Sequence, residues 1–244
     1  MTSEASPPAA DAARTAFICA MPMEIVPLVK KLSLDKETIG GVDVRTGTVG
    51  ATRVVATVTG MGTALASAKT TALLDAVAVD RVVVVGITGA LENDTPIGTL
   101  VMPEVVVNSN TGAEYKHVPL GNASPHGKMW TTDALTTNAD DLAKLRADGV
   151  VSLDMETAAI AEVCEARNIP WSVFRAISDR ASDGSIDEEV FRLSNQDGTP
   201  NPRAVATYFL KHPGKIPQMM KVAKGARLAT QRAADAAIAA VRDA

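Results

Sequence analysis

Three carboxylates stand where a chain of this kind can do chemistry. Asp179 closes the apolar run Phe174-Arg175-Ala176-Ile177-Ser178-Asp179. A carboxyl in a closed apolar pocket has a raised pKa. It can then donate a proton, for instance to ring nitrogen N7 of a departing purine. The same position also suits a helix cap, because Ser and Asp accept readily from a helix start. Glu156 lies in Leu153-Asp154-Met155-Glu156-Thr157-Ala158. It can accept both hydroxyl protons of a ribose, or simply open a helix whose dipole favours an acid there. Glu24, two residues after Pro22, reads either as a first-turn glutamate or as a base that holds and deprotonates water. An acid and a base on opposite faces of a sugar is the inverting logic of glycoside cleavage.

The elements that must position these groups follow from periodicity. Apolar runs predict strands over Ala16–Met21, Arg81–Val85, Thr99–Asn108, Val150–Leu153 and Trp171–Ile177. Val42–Gly47 and Arg53–Thr59, parted by Gly50, read as a hairpin. Helices are expected over Glu24–Leu32, Thr63–Val77, Ala139–Ala147 and Glu156–Arg167. Gly86 to Gly89 reads as a tight turn ending the four-valine strand, and Tyr115–Lys128 as irregular. Alternating strands and helices predict a single-domain α/β fold, with a mixed, mostly parallel sheet flanked by helices. Ligands of such sheets sit beyond the carboxyl ends of the strands. Glu24, Thr88, Asp154, Glu156 and Asp179 all fall there.

Composition narrows the function. The chain has 244 residues, 46% hydrophobic and 21% charged, as in a soluble globular domain. A net charge of −4 and 3% aromatic content argue against nucleic acid as partner. Cys19 and Cys164 lie far apart in apolar segments, and read as buried free thiols of a reducing cytoplasm. His117, His126 and His212 lack ligand spacing, so no metal or cofactor is expected. Residues 1–14, rich in Ala, Ser and Pro, read as a disordered lead without the features of a secretory signal. Residues 15–214 form the catalytic domain. Residues 215–244 form a helical tail, basic at first and then Ala-rich, packing on the body or on a partner subunit. Membrane contact by this tail is not expected, because bulky apolar anchors are few.

The order and spacing of motifs from about residue 16 to 192 resemble the phosphorylase superfamily, and within it the bacterial methylthioadenosine/S-adenosylhomocysteine nucleosidases. Val173–Ser182, with Arg-Ala-Ile-Ser-Asp, looks like their signature. Asp154-Met155-Glu156 resembles their Glu-Met-Glu segment, Thr59-Gly60-Met61-Gly62 their Ser-Gly-Ile-Gly turn, and Val85–Leu91 their glycine-rich turn. Ala20-Met21 with Glu24 matches their first loop. The resemblance implies that Asp179 protonates the purine, Glu156 binds ribose hydroxyls and Glu24 activates water. It places Met155 under the sugar, with Met61, Thr88, Gly89 and Ser178 lining the site. It also implies a homo-oligomer, most simply a dimer.

Departures fall on the pocket. Ile87 replaces a small serine, Leu135 stands where an aromatic packs on adenine, Ile186 where an aromatic is common, and Asp154 replaces the first Glu. Asn195–Pro202 and Ala204–Met220 resemble the tails of nucleosidase-like proteins associated with hopanoid synthesis, which implies a lipid-like adenosyl substrate. Phosphorolysis would need arginine near the sugar. Met21-Pro22-Met23-Glu24 holds none, and Val85 precedes Gly86, so water is the expected nucleophile. The partner is therefore a small purine nucleoside. A phosphorylase and a non-catalytic nucleoside binder are the alternatives, and retention of Glu24 beside Glu156 argues against the binder.

Overall fold

The computed structural model describes residues 14–121 and 124–244. Of the expected lead, residues 1–13 lie outside them. In chain order the elements are β1 (Arg14–Cys19), α1 (Pro22–Leu32), β2 (Asp35–Ile39), β3 (Val42–Val49), β4 (Thr52–Val58), α2 (Thr63–Ala76) and β5 (Arg81–Ala90). Then come β6 (Leu100–Val101), β7 (Val105–Asn108), β8 (Glu114–Tyr115), β9 (Lys128–Thr131), α3 (Ala139–Ala147), β10 (Val150–Asp154), α4 (Thr157–Ala166) and β11 (Trp171–Arg180). The last are α5 (Glu188–Phe191), α6 (Pro202–Lys211), a 3-10 turn (Pro213–Lys215) and α7 (Ile216–Arg242).

The described strands make one mixed sheet: β4, β1, β5 and β11 run parallel, as do β10, β9 and β7, while β5 meets β10 antiparallel and antiparallel pairs close the margins. Its hub is β5. Along one edge β5 pairs first with β1 and then, at Gly89 and Ala90, with β10. Along the other edge it pairs with β11 over its whole length. Period-2 alternation sends Val82 and Val84 to one face and Val83 and Val85 to the other, so both faces need cover. The first face is buried under α2 and α4 and the second under α1 and α7.

Two local expectations change, and one strand is added. The glycine stretch Gly86–Gly89 does not end the strand; β5 runs on to Ala90. Its partner β11 supplies ladder bonds as far as Arg180, and glycine inside a strand here serves close approach rather than turning. The strand expected over Thr99–Asn108 is broken at Pro103 into β6 and β7, since proline has no N–H for the ladder. The polar edge strand β2 is not legible in the sequence, because its burial is slight throughout and its pattern carries no apolar alternation. Both cysteines are buried and free. Helix α7 is the chief cover of β11: Ala229, Ala233, Ala234, Ala237, Ile238 and Val241 are buried against the sheet. Small side chains on that stripe let the helix lie close to the strands.

Candidate active site

Register brings the carboxylates together. Gly89 of β5 pairs with Leu153 of β10 on one side and with Asp179 of β11 on the other. The ends of three strands therefore meet at one point. A bulge between Ile177 and Asp179 leaves Ser178 outside the pairing, and such bulges re-aim the next side chain. No helix begins after Asp179, so its carboxyl caps nothing; α5 starts at Glu188 with its own cap, Asp187. The Ser178 hydroxyl donates to Asp179 Oδ1. Burial raises the Asp179 pKa, opposed by that hydroxyl and reinforced by Asp183. A protonated carboxyl is thus favoured above the usual aspartate range.

Glu24 is fully buried at the first turn of α1. Its Oε2 accepts from the N–H groups of Ala20 and Met21, each at 2.8 Å, and its Oε1 from Ile87 N at 2.8 Å. A carboxylate has about four lone-pair sites, so three backbone donors leave one on Oε1. Burial raises its pKa against the pull of Arg175 and the three N–H donors. Gly86 makes this placement possible. A Cβ there would lie 2.2 Å from Glu24 Oε1.

Glu156 precedes α4 and uses no side-chain bond to cap it. Its Oε1 accepts from Gly62 N at 3.0 Å. Burial, resisted by Arg175 and reinforced by Asp154 and Glu24, pushes its pKa to about 7. Asp154 differs from its neighbours. Its oxygens accept from the hydroxyls of Thr131 and Thr157, from Thr157 N at 2.9 Å, and from Arg175 Nη2 at 2.7 Å. Protein donors occupy it, so it starts the helix and fixes Arg175.

Arg175, only 2% exposed, belongs to the quoted signature, but sequence reasoning gives it no role. Its Nη2 meets Asp154 at 2.7 Å and Glu156 at 3.2 Å, and its Nη1 lies 3.6 Å from Glu24. Nη1 also donates to Ile87 O at 2.9 Å, and Nε to Thr157 Oγ1 at 3.3 Å. One guanidinium therefore ties three carboxylates into a fixed array. The signal is in the sequence: an arginine inside the apolar run Trp171–Ile177 must find anionic partners to be buried.

These groups open onto one cavity of about 420 Å³. Met61, Met155, Thr88, Gly89, Leu135 and Ser178 line it, as do Asp154, Glu156, Glu24 and Asp179. The structure thus gathers all the residues singled out from sequence. Thr88 is held by donating to Leu153 O at 2.7 Å. The cavity also takes residues that sequence reasoning misses. Phe191 of α5 supplies an aromatic wall, although Leu135 and Ile186 lack one, and Met219, Val222, Ala223 and Ala226 of α7 supply an apolar one. Their spacing is that of one helix face.

The phosphorylase superfamily model matches this sequence over residues 14–129 and 119–211, which spans the sheet, its hub and the carboxylate array. The chain belongs to the phosphorylase superfamily. A superfamily relative from Shewanella piezotolerans, named 5′-methylthioadenosine/S-adenosylhomocysteine nucleosidase, is 25% identical over 210 residues, covering 72% of this chain and 91% of its own. Among solved structures, the S-adenosylhomocysteine nucleosidase of Streptococcus pyogenes in complex with 5-methylthiotubericidin matches with TM-score 0.73 and 17% identity, over 96% of this chain and 98% of that one. The futalosine hydrolase of Helicobacter pylori matches with TM-score 0.72 and 16% identity, over 96% and 99%. At such identities the structures speak for a shared fold. The matched region ends before α7, whose N-terminal half nonetheless walls the cavity.

Proposed function

We propose that this chain hydrolyses the N-glycosidic bond of an adenine nucleoside with a 5′ substituent, such as methylthioadenosine or adenosylhomocysteine. Asp179 donates a proton to N7 of the departing base. Glu156 accepts the ribose hydroxyls and steadies the sugar as positive charge grows on it. Glu24 uses its remaining lone pair to orient and deprotonate water on the opposite face. Met155 lies under the sugar, and Met61, Thr88, Gly89, Leu135 and Ser178 bound the base and ribose. Names of the curated relatives support the reaction class.

One observation favours water over phosphate as nucleophile. The guanidinium of Arg175 is committed to Glu24, Asp154, Glu156, Ile87 O and Thr157. No fork is left for a dianion, and Glu24 beside it would repel one. The other cation lining the cavity, Arg180, lies past Asp179 at the end of β11 and donates through Nε to Thr95 O at 3.1 Å. The working form is a cytoplasmic homo-oligomer, most simply a dimer, acting without cofactor. The test is base release from methylthioadenosine, adenosylhomocysteine, adenosine and inosine, with and without phosphate. Free ribose derivative formed in phosphate-free buffer is expected; a ribose 1-phosphate formed only with phosphate would reject hydrolysis.

A further inference from the structure

The most exposed large apolar side chains among the described residues are Leu210, at 85%, and Met220, at 69%. They flank the corner where α6 turns into α7, with Ile216, 41% exposed, one turn before Met220. Sequence alone sets membrane contact aside for want of anchors. The corner supplies them by bringing the end of one helix beside the start of the next. Between residues 198 and 234 the chain carries seven Lys and Arg and no Asp or Glu, against a net charge of −4 overall. Lys211, Lys221 and Lys224 are exposed there, and among the described residues none has a carboxylate partner. On α7, Pro217, Met220, Lys221, Lys224 and Arg227 share the outward side, while Met219, Val222, Ala223 and Ala226 face the cavity.

We infer that the corner of α6 and α7 is a docking surface for an anionic lipid bilayer. Leu210, Ile216 and Met220 would enter the headgroup boundary, and Lys211, Lys221 and Lys224 would meet anionic headgroups, as on an interfacial amphipathic helix. Charge selects this occupant over a second copy of the chain. A two-fold interface would set the basic face against itself. Since the opposite side of the same helix turns walls the cavity, docking at this corner sets the cavity beside the bilayer. Among the described residues no helix is long and apolar enough to cross a membrane, so the contact is with the surface.

The test uses the full chain and pelleting with vesicles of phosphatidylcholine alone or mixed with phosphatidylglycerol. The chain is expected to pellet with the mixed vesicles, not with the neutral ones, and to release as salt rises. Each lysine near an anionic leaflet is worth roughly fivefold in partitioning, so K221Q/K224Q should bind about 25-fold more weakly. L210S/M220S should also bind more weakly while keeping its salt dependence. Neither variant touches the cavity lining, so cleavage of water-soluble nucleosides and the thermal midpoint should hold in both. No pelleting with mixed vesicles, equal pelleting with neutral ones, or undiminished binding by K221Q/K224Q would overturn the proposal. So would L210S/M220S turning an oligomer into a monomer, which would assign the face to a second copy. Vesicle binding needs no turnover, so its failure leaves the hydrolase reading standing.

Discussion

Gly86→Ala adds one methyl group where the carboxylate array has no room for it. The backbone at Gly86 lies outside the left-handed region, so alanine is conformationally acceptable and any effect comes from contact. The new Cβ would lie 2.2 Å from Glu24 Oε1, 2.7 Å from its Cδ and 2.8 Å from Arg175 Nη1. Carbon and oxygen normally approach to about 3.3 Å, so the carboxylate must retreat by roughly 1 Å. That retreat breaks the 2.8 Å bond from Ile87 N. A buried hydrogen bond to a charged group is worth about 1.5–3 kcal/mol. In a domain of this size that lowers the thermal midpoint by about 3–12 °C. A catalytic group misplaced by about 1 Å costs about 100-fold in rate. The pH profile separates misplacement from general weakening. Ile87 N–H favours the charged form of Glu24, so its loss raises the Glu24 pKa and moves the acid limb of kcat/KM to higher pH. Gly214→Ala, with nothing within 4 Å of its Cβ, is the control. Wild-type turnover in G86A, or a slower enzyme with an unmoved acid limb, would refute the reasoning.

Asp179→Asn removes the acidic proton but keeps the side-chain shape. Base release from natural purines should fall about 100- to 10,000-fold, and much less for a nitrophenyl riboside whose leaving group needs no proton; equal losses on both would discard Asp179 as the acid. Glu156 binds its proton more tightly in the fold, with a pKa of about 7 against an ordinary 4.5. Its protonation therefore favours the folded state below about pH 4.5, and that contribution is lost as pH rises through about 7. The thermal midpoint should drop between about pH 5 and pH 8, and Glu156→Gln should flatten part of the slope; calorimetry across that range decides. Gly225→Ala should gain about 1 kcal/mol from helix propensity alone. Its Cβ, however, would lie 2.9 Å from Ser178 O and 3.2 Å from Ile97 Cγ2, so α7 must shift off β11 beside Asp179. A less stable and slower variant is expected; a more stable, fully active one would show the contact to be unimportant.

Much of this molecule is written in local sequence. The four valines of β5 predict a strand buried on both faces, and β5 is covered by α2 and α4 on one face and by α1 and α7 on the other. Asp179, Glu156 and Glu24 are placed at strand ends by hydrophobic periodicity alone, and fold topology then obliges strand ends to converge. Periodicity says nothing of partners, and there the sequence stops. It shows Arg175 as a charge in an apolar run, but only the pairing of β11 with β5 brings Glu24, Asp154 and Glu156 to its guanidinium. It shows Gly86 as turn-like, whereas the strand continues and the missing side chain admits a carboxylate from another element. Helix propensity by itself marks Gly225 as a weak point in α7, whereas the helix needs that gap to approach Ser178 O. A propensity is a property of one stretch of chain. A close approach is a property of two, and their distance exists only once both have folded.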